Sequence, residues 1–407
     1  MKFLKALYGV SDSWNMEPPQ SCSIHIPFAL EPGDGSYDND DRFAFWSSPS
    51  TAQWFKTRGY TLYERIWNDS DISQWSFPII PSEVAVADAE YPYAHFDTET
   101  AKPPDTPMPL RAFDMTGKVG YAQDSLGRHV AIKVVRAETD EYRVLQFLKL
   151  QEPETLSKNS VVPVIELLPN EGFWFADISD GNLLVNHISD MTWHYTLRSG
   201  LRANNRLLYA LFDFDFSIMV PPEADKKNFR LPAVRSYGSF NVSNDTAAGE
   251  HDYNPFILDV GSMGVLLCDY YQHMTDILPI LAPLLDMMTC WDLNRRFTSS
   301  EALQFFEDRM TELSEADLAA RIVPTKPRNF RQMYNECDRW ENLPADFVER
   351  WKSYKETPLP WHIRLLRRLC KTKYGSRGIP RMRLFVFRLR SLPHRLYGWL
   401  VPAKIAI

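Results

Sequence analysis

Cysteine is scarce in this chain and badly placed for pairing. Five residues, Cys22, Cys268, Cys290, Cys337 and Cys370, lie far apart among 407, which excludes a disulfide framework and a Cys-pair zinc site and fits a reducing compartment. Histidines are scattered too, with no pair at metal-ligand spacing, an argument against a zinc enzyme. No uncharged apolar run approaches the ~18–20 residues that span a bilayer, and the start MKFLKALYGVSDSW holds too short an apolar stretch for a signal peptide. The expectation is a cytoplasmic or nuclear protein. No internal repeat is visible. What the chain does contain, 44% hydrophobic, 13% aromatic and 24% charged residues, is the composition of one large or two modest globular domains.

Acidic side chains are absent from residues 361–407, which hold twelve Lys/Arg. With a formal charge of −7 for the whole, the first 360 residues carry −19. A basic end on an acidic body is either a solvated tail or a segment that docks on anionic lipid, nucleic acid or the protein's own acidic surface. The segment MRLFVFRLRSLPHRLYGWLV alternates Arg with Leu, Phe, Tyr and Trp. Its aromatics suit an anionic membrane surface, whereas nucleic-acid binding has no recognised module to go with the charge. Pro393 is expected to interrupt a helix there.

Residues 1–107, rich in Pro, Ser, Asp and aromatics, read as an extension with a Pro-rich linker at 103–109. Within it WFKTRGYTLYERIW is expected to pack on the domain that follows. Residues 108–176 show short alternating strands with one helix, and 177–312 turn to apolar helices. PFILDVGSMGVLLCDYY is apolar nearly all round, the pattern of a buried helix. TSSEALQFFEDRM opens with a capping box from Thr298 to Glu301 and sets Leu303, Phe306 and Met310 on one face, as in a surface helix on a core. A second such start, Ser314 to Asp317, begins a helical extension over 313–407 that ends in the basic tail.

In HVAIKVV a period of two puts Ala131, Lys133 and Val135 on one face of a strand. An ammonium among small apolar residues needs an anionic partner, and a nucleotide phosphate is one candidate; an ordinary edge-strand lysine is the alternative. Eight residues on, DEYRVLQFL reads as a helix with Val144, Leu145 and Leu148 inward, which leaves Glu141 able to face that lysine. VVPVIELL and GFWFA follow as strands, the second running directly into DISDGNLLVNH, where Asp177 and Asn182 stand five apart before an apolar strand. A carboxylate beside an amide suits proton acceptance from a hydroxyl together with Mg²⁺ ligation, although Asp-Gly-Asn is also an everyday turn. LLYALFDFDFSIMV is an apolar strand ending in Asp213-Phe214-Asp215, either a metal-ligand end or a solvated one.

Taken in order, the lysine of VAIK, the helix glutamate, Asp-x-x-x-x-Asn before an apolar strand and a strand ending in Asp-Phe resemble the parts of a protein kinase, in the divergent form common in fungi, over roughly residues 108–312. The resemblance implies an α+β, two-lobed protein-kinase-like fold, with an N-lobe at 108–176 and a C-lobe at 177–312, that binds ATP with Mg²⁺. It implies transfer of the γ-phosphoryl to Ser/Thr hydroxyls of a protein substrate. Lys133 would contact the α/β-phosphates and pair with Glu141, Asp177 would orient the substrate hydroxyl, and Asn182 and Asp213 would hold Mg²⁺. Ala131 would line the adenine site, Asp259 would brace the catalytic loop from the buried helix, and Arg296 would tie down the end of the activation segment with Glu250 as its partner.

Four departures from the family pattern stand out. MTGKVGYAQDSLG offers only Gly117 and Gly120 to cover the phosphates; Phe175-Ala176 stands where His-Arg usually precedes the Asp; Asp215 replaces the Gly of Asp-Phe-Gly; and only 44 residues separate Lys133 from Asp177. After one helix and two strands, that span has no room for the hinge and the αD and αE helices, since two average helices with their loops need ~30 residues. The large lobe is therefore expected to be truncated, its apolar faces either uncovered or filled by helices of 313–407. A segment missing between Ala176 and Asp177 is the other reading. The rival function is a pseudokinase or scaffold module that keeps the fold with little turnover.

Overall fold

A computed structural model describes residues 23–28, 39–66, 75–80, 112–113, 117–170, 173–177, 183–185, 202–203, 209–211, 217–221, 223–236, 243–314 and 334–400. The chain is mixed α and β and divides into two compact units, Met1–Val220 and Pro221–Ile407. Among the described residues no helix is long and apolar enough to cross a membrane.

In the first unit, helices α1 (Asn39–Ser47) and α2 (Pro49–Lys56) lead into strands β1 (Thr61–Leu62), β2 (Glu64–Ile66), β3 (Trp75–Phe77), β4 (Ala112–Phe113), β5 (Val119–Gln123) and β6 (His129–Arg136). Helices α3 (Asp140–Lys149) and α4 (Pro153–Lys158) follow, then β7 (Leu167–Asn170), β8 (Phe173–Asp177), β9 (Leu183–Val185) and β10 (Tyr209–Leu211). Strands β1, β5, β6, β8 and β7, in that spatial order, form an antiparallel sheet. A separate three-stranded sheet holds β2, β3 and β4, and β9 pairs with β10 as a two-stranded ribbon.

β6 is central, and every residue from Val130 to Val135 is buried, so its run of β-branched residues is covered on both faces. On one side Val130, Ile132 and Val134 join Phe45, Trp46, Trp54, Phe55, Tyr60 and Leu62 in a single core; on the other Val135 packs with Leu145, Leu148, Leu156 and Val164. The aromatic segment read from sequence as an extension thus supplies two helices and an edge strand to the sheet's own core. α2 begins cleanly because Ser48 Oγ accepts the Thr51 N–H at 3.1 Å and Pro49 occupies the first turn. Phe55 is fully buried, and its truncation to alanine would cost ~3–5 kcal/mol. VVPVIELL is a strand only from Leu167 onward, since Pro163 has no N–H to give to a ladder. The linker at 103–109 lies outside the described residues.

The second unit contains β11 (Leu231–Pro232), β12 (Asp252–Tyr253) and helices α5 (Pro255–Tyr271), α6 (Leu281–Thr289), α7 (Ser299–Met310), α8 (Ala345–Trp351), α9 (Trp361–Cys370) and α10 (Gly375–Leu400). α5 starts at Asn254, whose Oδ1 accepts the Phe256 and Ile257 N–H groups. It packs on α6, every residue of which is buried. α5 itself is not buried all round: Leu258, Val260, Gly261, Gly264, Val265 and Cys268 are covered, whereas Asp259, Met263, Asp269 and Tyr270 are exposed. Burial pushes the Cys268 thiol up to about 11.

Residues 334–357 are part of this unit's core. Asp286 of α6, 3% exposed, accepts Arg339 Nη1 at 2.6 Å, the Trp340 indole N–H at 2.7 Å and the Glu356 backbone N–H at 2.9 Å. The expected capping box of α7 forms between Thr298 and Glu301. The expected face does not: Ala302 and Phe305 are buried, while Leu303 and Phe306 are exposed. The helix is rotated because Phe305 meets Phe297, Trp351 and Tyr354 at ring separations of 5.4–5.7 Å. α10 also runs through Pro380 and Pro393 without ending. Each proline removes one helical hydrogen bond, a local loss that a long helix can absorb. The start from Ser314 to Asp317 falls mostly outside the described residues.

Candidate functional site

The turn between β5 and β6 decides the direction of Lys133. Asp124 Oδ1 accepts the Leu126 and Arg128 backbone N–H groups, each at 2.9 Å, and Oδ2 accepts Arg128 Nε at 2.6 Å. Gly127 closes the turn at φ +75°, a conformation glycine adopts without strain. This sets the register Gln123↔His129 through Val119↔Lys133. A slip of one residue would send Lys133 to the opposite face. In the observed register Val130, Ile132 and Val134 face the aromatic helices, so the alternation puts Lys133 on the side of α3.

α3 is started by Thr139, whose Oγ1 accepts the Tyr142 N–H at 3.2 Å and donates to Arg136 O at 2.8 Å. Asp140 and Glu141 sit in the first turn, where the helix dipole favours negative charge. Leu145 and Leu148 are buried and Val144 half-buried. Their packing leaves Glu141 against the sheet, with Oε1 2.7 Å from Lys133 Nζ; the two side chains are 14% and 8% exposed. Removing one member of a pair so far withdrawn from water costs ~3–5 kcal/mol.

Ala131 is buried, opposite Tyr121. Gly117 and Gly120, expected to cover phosphates, are occupied by the docking of α1. A Cβ on Gly120 would lie 2.5 Å from the Trp46 ring, and one on Gly117 2.7 Å from Arg42 Cβ. The Trp46 indole N–H donates to Gly117 O at 2.9 Å, and Gly120 stands inside β5 rather than in a loop.

Asp177 is the last residue of β8, its backbone opposite Ile132, while Ala176 is opposite Lys133. Its main chain is therefore one strand across and one residue along from the lysine. Asn182 and Asp213 lie outside the described residues. Between them β9 and β10 pair with Leu183 opposite Leu211, so the chain enters the ribbon just after Asn182 and leaves it just before Phe212 at the same end. Among the described residues no group of three His, Cys, Asp or Glu is placed to hold a metal ion.

In the second unit Arg296 is 4% exposed and pairs with Asp245, not Glu250. Nη1 reaches Oδ2 and Nη2 reaches Oδ1, each at 2.7 Å, the two-pronged geometry that suits a guanidinium. Nε and Nη2 also donate to Cys290 O. The pair forms because Gly261 leaves room: a Cβ there would lie 2.4 Å from Arg296 Nη1. Glu250 is engaged elsewhere, 3.1 Å from Arg383. Asp259, expected in a buried setting, is exposed on α5.

No protein-family model matches the chain, and no curated protein matches it in sequence. The residues that sequence reasoning missed are Asp245, Trp46 and the Asp286–Arg339 pair. Trp46 gave a signal in the aromatic density before the sheet; the two carboxylates gave none, because their partners are 51 and 53 residues away.

Proposed function

We propose that the first unit is a protein-kinase-like nucleotide-binding unit that takes ATP with Mg²⁺, and that the chain transfers the γ-phosphoryl to Ser/Thr hydroxyls of a protein. The buried Lys133–Glu141 pair, 2.7 Å apart on a central strand and the helix that follows it, is the observation that supports this reading. An ammonium held at a fixed position on a rigid sheet fits the α/β-phosphate oxygens, since hydrogen bonds between ions are short and strong. Bound Mg-ATP would supply the phosphoryl group and the metal charge that neutralises it. Glu141 orients Lys133. Asp177 would accept and orient the substrate hydroxyl, and Asn182 and Asp213, both hard oxygen donors, would be the metal ligands. A cytoplasmic or nuclear location goes with this reading, as do Cys268, Cys290 and Cys370, which are free thiols.

A second reading, a pseudokinase or scaffold module, is favoured by one specific observation: the space beside Gly117 and Gly120 is filled by Trp46, Phe43 and Arg42, which leaves neither glycine free to approach phosphate. The two readings separate in one experiment. The purified chain is given labelled Mg-ATP and a generic Ser/Thr protein substrate. Transfer that Asp177→Ala abolishes supports the enzyme, nucleotide binding without transfer supports the scaffold, and absence of both removes the kinase-like assignment.

A further inference from the structure

We propose that α9 and α10 form a docking surface for an anionic lipid membrane. Both helices are fastened to the rest of the second unit by polar and apolar contacts, among them the Phe387 ring 4.7 Å from that of His251. Arg367 donates to Asn244 O at 3.1 Å, Arg383 donates to Ala248 O at 3.0 Å and pairs with Glu250, and Ile379 is buried beside Gly249, where a Cβ would lie 2.7 Å from it.

The opposite side is apolar. On α9, Trp361, Leu365 and Leu369 recur every four residues and are 71%, 47% and 43% exposed. On α10, Met382, Phe385 and Leu389 recur at helical spacing and are 58%, 61% and 48% exposed. A helix on a water-soluble body turns such a stripe inward. Single exposed apolar residues are ordinary, but a stripe on each of two neighbouring helices marks an interaction surface. Arg364, Arg368, Arg381 and Arg388 are exposed on the same helices, and residues 361–407 contain no acid at all.

An apolar stripe flanked by arginines and lacking carboxylates is complementary to a surface that is hydrocarbon below and negatively charged above. The interface of a bilayer containing anionic lipid has that profile, and a helix lying in its plane buries the apolar side while the arginines meet headgroups. Nucleic acid would satisfy the arginines and leave six large apolar side chains in water. A face-to-face pair of chains would satisfy the apolar stripes and set the cations of each against the other.

The test is co-sedimentation of the full chain with neutral phosphatidylcholine vesicles and with vesicles containing about a third phosphatidylserine, at about 0.1 M salt and again at higher salt. Binding is expected to the anionic vesicles only and to weaken with salt. Replacing Arg364, Arg368, Arg381 and Arg388 by Gln is expected to lower partitioning on the order of several-hundred-fold, at about fivefold per charge. Phe385→Ser with Leu389→Ser keeps every charge, lies on exposed positions and is expected to lower it at least tenfold at unchanged circular dichroism. The proposal is overturned by no sedimentation with anionic vesicles. It is equally overturned by vesicle binding that the serine variant leaves intact, by tighter retention on duplex DNA than on vesicles, or by a dimer that the serine variant dissolves while vesicles go unbound.

Discussion

Replacing Asp286 by alanine probes how firmly residues 334–357 belong to the second unit. The carboxylate, 3% exposed, accepts three hydrogen bonds, one of them from the buried Arg339 guanidinium. Leaving that guanidinium without its partner costs ~3–5 kcal/mol, and each of the two neutral donors adds ~1 kcal/mol. The expected loss is therefore ~5–7 kcal/mol, a large share of the ~5–15 kcal/mol that holds a domain together. Urea unfolding followed by tryptophan fluorescence reads it, because Trp340 reports its own site. The double variant Asp286→Leu/Arg339→Met removes both charges and leaves the two neutral donors, together with Tyr334 O and Cys268 Sγ to which Arg339 Nη2 donates, without those hydrogen bonds. It is expected to be more stable than Asp286→Ala by ~2–3 kcal/mol, the sign opposite to that of additive damage. A loss below ~1 kcal/mol for the single variant, or a double variant worse than the single one, would refute the reasoning.

Gly120→Ala would put a Cβ 2.5 Å from the Trp46 ring; the expected result is a loss of ~1–3 kcal/mol in urea unfolding, and a variant of unchanged stability that loses only nucleotide affinity would return this glycine to the phosphates. Gly261→Ala pushes a methyl against Arg296 Nη1 and Ser243 Oγ and is expected to lower the melting temperature more than Ala substitution at the exposed Met263; equal shifts would mean that the Arg296–Asp245 pair is not closely packed there. Burial raises the Glu356 carboxyl above its usual range, so its contribution is full at pH values below that of an unfolded glutamate and is lost as pH rises through the raised value. Glu356→Gln, which keeps an oxygen for the Trp291 N–H, is expected to gain melting temperature relative to the parent between pH 4 and pH 8. A gap that is constant or reversed over that range would contradict the assignment.

Local patterns were legible. Lys133 and Glu141 are eight residues apart, and a strand period followed by a helix period was enough to bring them face to face, because hairpin, cap and helix all lie within one short stretch. The capping box at Thr298 was legible for the same reason. Choices between near neighbours were not. Phe305 and Phe306 are adjacent phenylalanines about 100° apart round a helix, and which of them is buried was decided by Trp351 and Tyr354, more than forty residues later. Asp245 and Glu250 both lie near the start of α5, and Gly261 admitted the arginine to one of them. The role of Gly117 and Gly120 depended on Trp46, 71 residues before Gly117. At Pro393 the error was one of weighting: a proline inside a long helix gives up one hydrogen bond and need not end it.

Nucleotide binding by the Lys133–Glu141 pair is tested most directly by the thermal stabilisation that Mg-ATP gives the full chain, each variant measured against its own ligand-free melting temperature. A ligand at a hundred times its Kd adds about 2.7 kcal/mol, which is several degrees for a unit of this size. The parent is expected to show that shift with Mg-ATP. Lys133→Met, and Lys133→Arg in which an ion pair with Glu141 is retained, are expected to show a much smaller one. An absent shift in the parent, or equal shifts in all three proteins, would contradict the placement of a nucleotide phosphate at Lys133.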